Sequence, residues 1–505
     1  MSKQPDRNAR RTKLRAEPLK VPKYEEIAAL LENDCSIVPG GGTTDIAGPD
    51  REYDVEAINK EFAVVLTGSR GMILKISATG PIHDRVRIMR PDAFRLWFQN
   101  RFTQVVGSNG EPRWKTWAAA WLADKYRREY AGIEFFPNPD GAPGTPEYFN
   151  LWQGFDVEPS PTGSYAIFKD HLQTNVCGGD AGLFEYLFAW FAHIIQRPRE
   201  RIGTAIVLRG KKGAGKTKIG EVIGSLFPAH YLLVDGPRYI TGQFNVHMAK
   251  CLLLQADEAI WAGDKHAEGR LKGLITSETQ MIEAKGLDSI QLKNYVRVLM
   301  TSEEDWVVPA GKDERRFLVL DVAANVAQNH EYFAEMDKEL ANGGRERLLY
   351  DLRNIDLCRI SLRQVPRTTA LLEQKLHSLD SVETWWYSAL ETGIPIRGLE
   401  IWPDQVSSIE LYEDYHRAAN EMGIARKPSH ATFGGKMMKL VPGLRKTRPT
   451  AYTPEGIKRV WSYVLPSLDE CRSSFEQIIG QTIDWPAITE HERTGENASF
   501  ADASV

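Results

Sequence analysis

The stretch Gly210-Lys-Lys-Gly-Ala-Gly-Lys-Thr217 decides how the rest of this chain is interpreted. It satisfies the pattern G-x-x-x-x-G-K-[ST], whose glycines let successive backbone N–H groups turn inward around the phosphates of a nucleotide. In this pattern Lys216 reaches the β- and γ-phosphate oxygens, and the Thr217 hydroxyl ligates Mg²⁺. Residues 204–209 predict a buried strand that enters the loop, and residues 216–227 predict the helix that leaves it. The sequence therefore predicts a site for ATP and Mg²⁺, and the alternative is a glycine-rich turn that binds nothing.

The predicted nucleotide contacts are all the residues of this loop: Gly210, Lys211, Lys212, Gly213, Ala214, Gly215, Lys216 and Thr217.

Two acids follow an apolar run about forty residues after the loop, in Lys250-Cys-Leu-Leu-Leu-Gln-Ala-Asp-Glu258. Strands of a parallel sheet are buried on both faces and are continuously apolar. Acids at the carboxyl end of such a strand lie where these sheets bind ligands. We expect Asp257 to hold Mg²⁺ together with Thr217, and Glu258 to polarise the attacking water. The acidic pair favours hydrolysis of the nucleotide over binding alone.

A third predicted strand, residues 295–300, runs into Thr301-Ser302-Glu303-Glu304, where a polar residue would face the γ-phosphate. Two adjacent arginines, Arg315 and Arg316, precede a strand predicted at 317–320. An arginine supplied across a subunit boundary stabilises charge on the transferring phosphoryl group. Both arginines are therefore candidate catalytic residues, with a local ion pair to Asp313 or Glu314 as the alternative.

The order of these motifs resembles superfamily 3 helicases. It is more narrowly similar to the helicase part of phage and prophage primase–helicase proteins, which are related to the poxvirus-type enzymes. The resemblance covers roughly residues 110–470. The stretches that carry it are Gly210–Thr217, Leu252–Glu258, Glu283-Ala-Lys-Gly-Leu-Asp288, Val298–Ser302, Asp313–Phe317, Asn150-Leu-Trp-x-Gly154 and Asn342-Gly-Gly344.

The resemblance implies an α/β fold with an AAA+-like parallel-sheet ATPase core, assembled as a homo-oligomeric, hexameric ring. Nucleotide would then lie between subunits, where Arg315 or Arg316 acts on the neighbour's phosphates. Lys285 and Lys293 would lie on a hairpin that projects into the channel and follows the DNA backbone. The residues themselves are consistent with two small strands around 289–292, and an ordinary surface hairpin with solvated lysines is the alternative.

Glu303 departs from the family pattern, which has Asn directly after Thr-Ser. A carboxylate cannot donate a hydrogen bond to the γ-phosphate and would repel it. Three alternatives follow. Ser302 takes over the hydrogen bond to the γ-phosphate, the Glu303 side chain turns away from the phosphate, or ATP hydrolysis is slowed.

The C-terminal part has the outline of a winged helix. A capping box, Ser407-x-x-Glu410, predicts the start of a helix that Gly423 ends, and a second helix covers 429–440. A two-stranded segment is then predicted at 444–465, around a turn at 453–456. Nine Lys and Arg lie between residues 426 and 459 against one acid, Glu455. This excess predicts contact with DNA phosphates, or a merely solvated basic face. The residues predicted to bind DNA here are Lys436, Lys439, Arg445, Lys446 and Arg448.

The remaining segments offer less chemistry. Residues 25–110 predict a helix at 25–32 and strands at 62–66, 72–76 and 86–89, without an assignable role. The aromatic residues of 111–200 are expected mainly in a core rather than on stacking platforms, and a buried helix is predicted at 182–196. The predicted parts are a disordered basic arm (1–24), a small α/β region (25–110), an aromatic-rich N-terminal helicase region (111–200), a P-loop core (201–375), a winged-helix-like domain (380–485) and a disordered tail (486–505).

Composition excludes several other classes. The five cysteines contain no CxxC pair, which argues against a zinc ribbon and a disulfide framework. No run of 18 apolar residues and no apolar leader occur, so we expect a cytoplasmic protein of a bacterial host, encoded by a phage or prophage. No Asp-x-Asp pair for a polymerising primase occurs either, so a separate primase or polymerase is an expected partner.

Three functions are consistent with these features. The first is an ATP-dependent helicase that translocates on single-stranded DNA and acts at replication forks. The second is a DNA-binding initiator or loader in which ATP drives assembly without processive unwinding. The third is a P-loop kinase of a small molecule, which the paired arginines and the basic C-terminal part disfavour.

Overall fold

The computed structural model describes residues 52–106, 110–258, 265–283, 288–312, 314–453 and 456–487. The basic arm (1–24), the helix predicted at 25–32 and Lys285 lie outside these residues, as does the tail from residue 488 onward. Apolar side chains are buried in three clusters, one N-terminal, one central and one C-terminal.

The N-terminal elements form a small mixed sheet with three helices and a separate hairpin. In chain order they are α1 (Val55–Glu61), β1 (Phe62–Thr67), β2 (Arg70–Ile76), β3 (Val86–Met89), α2 (Pro91–Trp97), β4 (Phe102–Val106), β5 (Pro112–Thr116), α3 (Trp117–Ala123) and β6 (Glu129–Tyr130). The sheet has the order β3-β2-β1-β6, while β4 pairs only with β5. The rings of Phe62, Phe94, Phe98 and Trp121 pack against one another beneath it. The three strands predicted in this region are confirmed.

The next segment places a buried helix beside the central sheet. Its elements are β7 (Gly132–Glu134), β8 (Tyr148–Asn150), α4 (Ala166–Asp170) and α5 (Ala181–Gln196). Asp180 caps α5 by accepting a hydrogen bond from the Leu183 N–H. Residues 186–195 are all buried, which confirms the predicted helix and its burial. Most aromatic residues of 111–200 also lie in the core, as expected, but Trp114, Tyr126 and Tyr148 are exposed.

The central sheet has five parallel strands in the order β10-β11-β14-β9-β15. Its elements are β9 (Ala205–Arg209), α6 (Lys216–Gly224), β10 (Tyr231–Val234), α7 (Arg238–Thr241), β11 (Leu253–Asp257), α8 (Lys265–Thr276), β12 (Thr279–Ile282), β13 (Ile290–Lys293), β14 (Arg297–Ser302) and β15 (Phe317–Asp321). Strands β9 and β14 are buried along their whole length, which explains their continuous apolar sequence. The predicted strands and the helix after the loop are present, although β14 ends two residues later than expected.

An antiparallel hairpin, β12–β13, precedes β14, and two helices follow β15. The helices are α9 (His330–Glu339) and α10 (Arg345–Asn354), joined by a π-helical turn at Leu340–Gly344. Gly343 in this turn has a φ of 90°, and its carbonyl would lie 2.2 Å from a Cβ built on Gly163. Close packing of two backbones therefore accounts for the Asn-Gly-Gly motif.

The Asn150–Gly154 motif also has a packing role. The Asn150 side chain accepts hydrogen bonds from the N–H groups of Phe136 and Trp152 and donates to the Phe136 carbonyl. The Trp152 ring stacks on His230, with ring centroids 4.5 Å apart. These contacts join the segment before the loop to the turn that precedes β10.

The C-terminal elements have their own hydrophobic cluster. They are α11 (Thr369–His377), α12 (Ser381–Thr392), β16 (Gln405–Ser407), α13 (Ser408–Glu421), α14 (His430–Leu440), β17 (Arg445–Thr447), β18 (Thr450–Thr453), β19 (Gly456–Arg459), β20 (Ser462–Val464) and α15 (Leu468–Ile479). Strands β16, β20 and β17 form one antiparallel sheet. Strands β18 and β19 form a separate antiparallel pair in the segment between β17 and β20. The predicted order of helix, helix and hairpin is present. The winged-helix assignment and the domain boundaries stay predictions.

The predicted capping box at Ser407 is wrong. Ser407 occupies the N-cap position of α13, but its side chain makes no capping hydrogen bond. Because β16 pairs with β20 up to Ser407, the sheet fixes the start of the helix, and the Ser408 N–H donates to the Trp461 carbonyl. No helix among the described residues has the length and apolar character that a membrane crossing requires.

Gly220 in α6 provides a test of how tightly the loop helix packs on the sheet. A Cβ on Gly220 would lie 1.8 Å from Oε1 of the buried Gln255, whereas a Cβ on Gly269 in α8 meets nothing within 4 Å. We expect Gly220→Ala to destabilise the fold by about 1–3 kcal/mol, because overpacking displaces Gln255. Gly269→Ala should leave the Tm unchanged or raise it. Calorimetry of both variants checks this, and equal Tm values would contradict the described packing.

Candidate functional site

The Gly210–Thr217 loop connects β9 to α6 at the carboxyl edge of the central sheet. Gly213 and Gly215 have φ values of 76° and 86°, which side-chain-bearing residues rarely adopt. A Cβ on Gly215 would lie 2.7 Å from the Phe333 ring and 2.8 Å from Nε2 of His171. His171 is fully buried, and burial lowers its pKa to about 4. The loop is therefore held from outside by neutral, tightly packed rings.

Lys216 lies inside the loop and is almost fully buried. Its ammonium donates hydrogen bonds to the carbonyls of Gly210 (2.7 Å) and Lys211 (3.0 Å). Burial lowers its pKa, and the carboxylates of Glu303, Glu258 and Asp257 oppose this effect. A positive charge is thus fixed at the centre of the loop, where the phosphate pattern requires it.

Asp257 ends β11 beside the first turn of α6. The Thr217 hydroxyl lies 3.2 Å from Asp257 Oδ2, and the Thr301 hydroxyl donates to Oδ1. Mg²⁺ is commonly held by one or two carboxylates together with waters and substrate phosphates. The Thr217–Asp257 pair fits that requirement, and the described residues contain no cluster of three or more His, Cys, Asp or Glu side chains that could hold another metal.

Glu258 follows directly and has a φ of 50°, an uncommon conformation for a residue with a side chain. Its carboxylate accepts hydrogen bonds from the Ser302 hydroxyl (2.8 Å) and the Glu303 N–H (2.7 Å). Of the three outcomes expected at the sensor position, the structure shows Ser302 engaged with Glu258 while Glu303 is exposed. The end of β14 therefore orients the acid.

Gln255 also belongs to this arrangement, although no sequence motif identifies it. It is fully buried in β11, donates to the Thr217 carbonyl (3.1 Å) and accepts from the Tyr231 hydroxyl (2.6 Å). These bonds tie the acidic strand to the loop helix. A lone polar residue within an apolar strand is the signal that could have identified it.

Arg315 and Arg316 lie at the opposite edge of the sheet. The Ala205 N–H donates to the Arg316 carbonyl, so these arginines flank the start of β9 rather than its end. A strand of this length separates the two edges by roughly 16 Å. Neither arginine can therefore reach the loop of its own chain without a large rearrangement.

The two arginines differ in their partners. Arg316 forms an ion pair with the buried Glu314 (3.0 Å), which bears out the alternative expected from the sequence. The exposed Arg315 forms no ion pair with any described residue. It lines a cavity of about 900 Å³ whose wall also includes Arg363 and Arg367.

The predicted DNA-binding residues lie in two places. Lys293 is exposed at the end of β13, while Lys285 is outside the described residues. Lys439 and Arg445 are exposed, and Lys436 forms an ion pair with Asp380 (2.7 Å).

Lys446 and Arg448 lie over the half-exposed ring of Trp461, at 4.6 and 5.2 Å from its centroid. Trp461, which no sequence motif identifies, thus lies among the basic residues of the hairpin.

Comparisons with known proteins give three results. Residues 208–316 match the model of a family of unknown function, DUF5906. The chain is 26% identical over 263 residues to the DNA primase-polymerase of Nitratiruptor phage NrS-1, a match that covers 49% of this chain and 36% of that protein. The apo structure of the NrS-1 C-terminal region is similar with a TM-score of 0.57 at 16% identity, covering 82% of this chain and 98% of that one. An A-form apo structure of the same region gives a TM-score of 0.56.

These results show a mixed α/β fold that is shared with the C-terminal region of NrS-1. The sequence is related to that of a phage DNA primase-polymerase, but the chain spans only about a third of that protein's length.

Proposed function

We propose that this chain is an ATP-driven DNA helicase of the superfamily 3 type, which translocates on single-stranded DNA during replication of a phage or mobile element. The observation that carries the proposal is the convergence of Lys216, Thr217, Asp257 and Glu258 at the carboxyl edge of a parallel sheet. Such edges are where open α/β sheets bind ligands. The strand order supports the AAA+-like interpretation, because it sets the polar end of β14 between the loop strand and the acidic strand.

Each residue of the site has a role in this proposal. Lys216 and the loop N–H groups would bind the phosphates, and Thr217 with Asp257 would hold Mg²⁺, which supplies charge stabilisation to phosphoryl transfer. Glu258 would accept a hydrogen bond from the attacking water through a lone pair that Ser302 and the Glu303 N–H leave free. Since both contacts fix the carboxylate, Ser302 is a positioning residue.

A ring assembly, with six subunits as the resemblance implies, would complete the site. Arg315 and Arg316 lie too far from their own loop, so they could act only on nucleotide held by a second copy. We assign this role to Arg315, because Arg316 is committed to the buried Glu314. Arg363 and Arg367 would add positive charge around the neighbour's phosphates.

DNA is the proposed partner for two reasons. The matched phage protein is named a DNA primase-polymerase. In addition, α14 and β17 expose Lys and Arg side chains within a stretch of sequence that contains few acids. A primase or polymerase is a further proposed partner, since the matched phage protein is named a DNA primase-polymerase.

An initiator or loader that binds ATP without processive unwinding is the second candidate. The exposed Glu303 favours it, since a carboxylate beside Lys216 opposes the approach of a γ-phosphate.

Lys216→Ala tests the proposed function. We expect it to abolish DNA-stimulated ATP hydrolysis and strand displacement on a forked duplex, because it removes the charge at the centre of the loop. Lys338→Ala, which removes an exposed lysine of α9 outside the loop, is the matched control and should retain most activity. If the unaltered protein hydrolyses ATP and binds DNA in an ATP-dependent way but displaces no strand, the result favours the initiator. If Lys216→Ala hydrolyses ATP as fast as the unaltered protein, both candidate functions are refuted.

Two substitutions at the end of β14 test the assignment of Ser302 and Glu303. Ser302→Ala should lower kcat for ATP hydrolysis by about 10-fold or more with little change in KM, because Glu258 loses one of its two orienting bonds. Glu303→Asn should preserve or raise kcat, since the backbone N–H that contacts Glu258 remains. Loss of hydrolysis in Glu303→Asn would show that the sensor alignment is wrong.

Separate variants of the two arginines test the assignment between them. Arg315→Ala should lower ATP hydrolysis by about 10³-fold or more without changing the Tm. Arg316→Ala should lower the Tm, because the buried Glu314 loses its partner. Mixing Arg315→Ala with Lys216→Ala subunits should restore part of the hydrolysis, since one supplies an intact loop and the other an intact arginine. Mixed oligomers without restored hydrolysis would exclude action between subunits.

A further inference from the structure

The β4–β5 hairpin presents three large apolar side chains to solvent. Phe102, Val106 and Trp114 are 56%, 79% and 67% exposed. The strand register places Trp114 opposite Gln104, with Phe102 and Val106 on either side of Gln104. Because side chains two residues apart share a face, all three lie on one face of the hairpin. An exposed apolar face of this kind is a typical sign of an interaction surface.

The hairpin is held firmly at its base. The Trp117 N–H donates to the Arg101 carbonyl (2.9 Å), and the Trp117 indole N–H donates to the Phe102 carbonyl (3.3 Å). The Thr116 hydroxyl caps α3 by accepting from the Ala119 N–H. Trp114 is thus displayed on a strand that the buried Trp117 anchors.

Positive charge lies on the other face of the same strand. Arg113 and Lys115 flank Trp114, both are exposed, and neither forms an ion pair with a described residue. Glu111 is the one acid in the sequence from 102 to 116. The hairpin therefore presents aromatic rings on one face and two unneutralised cations on the other, at the outer strand, so that stacked bases and a phosphate backbone along the strand edge would both find partners.

The four-stranded N-terminal sheet (β3-β2-β1-β6) contacts the segment between β12 and β13. The Ser69 N–H, in the turn between β1 and β2, donates to Asp288 Oδ2 (3.0 Å), and Arg70 lies 3.8 Å from Asp288 Oδ1. A Cβ on Gly68 would lie 2.7 Å from the Asp288 Cβ, so the two parts approach closely. The N-terminal elements are thus attached to the hairpin that carries Lys293.

From these observations we infer that the β4–β5 hairpin is a binding surface for single-stranded DNA, separate from the basic C-terminal hairpin. Trp114 and Phe102 stack on bases, and the long side chains of Arg113 and Lys115 reach phosphates from the opposite face, around the outer edge of β5. Duplex DNA does not suit this surface, because its bases are already stacked. Aromatic residues and arginine are also enriched at protein interfaces, so a contact between copies of the chain is the alternative outcome of the test below. The inference goes beyond the proposed function, because this binding needs no nucleotide in the Gly210–Thr217 loop.

Binding of a fluorescent oligothymidine to the full-length protein, followed by anisotropy without nucleotide, tests the role of Trp114. Trp114→Ala should weaken binding by roughly fivefold or more, because stacking on that base is lost. Trp114→Phe should keep most of the affinity, whereas Trp114→Leu should lose it, since leucine is apolar but has no ring. Equal affinity of the Ala and Phe variants would overturn the inference.

The salt dependence of the same binding tests the cations. Replacing Arg113 and Lys115 together by Gln should reduce the slope of log affinity against log salt by about 1.4, because two phosphate contacts are lost on a single strand. The Lys216→Ala variant should bind as tightly as the unaltered protein, which separates this result from a failure of the proposed function. If Trp114→Ala instead changes the sedimentation coefficient without DNA and leaves the DNA affinity intact, the hairpin is a contact between copies of the chain and the inference is wrong.

Discussion

Two main-chain hydrogen bonds at the end of β14 hold the candidate site together. The Ser302 carbonyl accepts from the Gly210 N–H (3.1 Å), and the Thr301 carbonyl accepts from the Glu258 N–H (3.0 Å). Successive carbonyls of one buried strand thus fix the start of the glycine-rich loop on one side and the acidic pair on the other. Because both bonds are between backbone groups, their geometry depends on the register of the parallel sheet and not on any side chain.

At this edge of the sheet, one ammonium group lies near three carboxylates. Lys216 has its own loop carbonyls as hydrogen-bond acceptors and three carboxylates nearby, those of Glu303, Glu258 and Asp257. A bound phosphate group would bring further negative charge, which Mg²⁺ on Thr217 and Asp257 would offset. Glu303 is the one acid of the three that makes no bond to a neighbouring strand through its side chain, so it is free to move away from an incoming anion.

The proposed DNA contacts form a coherent arrangement around this core. The N-terminal sheet is tied to the β12–β13 hairpin through Asp288, and the basic C-terminal hairpin surrounds Trp461 with Lys446 and Arg448. In both hairpins an exposed tryptophan occurs together with exposed cations that no described carboxylate neutralises, over its ring at Trp461 and on the opposite strand face at Trp114. Aromatic stacking with phosphate contacts is the common feature of proteins that bind single strands without sequence preference.

The sequence by itself determined four of the five strands of the central sheet, the loop between β9 and α6 and the buried helix α5, because apolar runs and glycine spacing are local signals. The edge strand β10 was not predicted. Only the tertiary structure decided the rest. Strand order brought Ser302 to Glu258 and put Arg315 at the far edge, and neither follows from sequence spacing, since neighbours in a parallel sheet are distant in the chain. The capping box at Ser407 failed for the same reason: pairing of β16 with β20, a contact between distant segments, overrode a local preference. Trp114 and Trp461 could not be told from core tryptophans either, because exposure depends on what the whole fold packs against each ring.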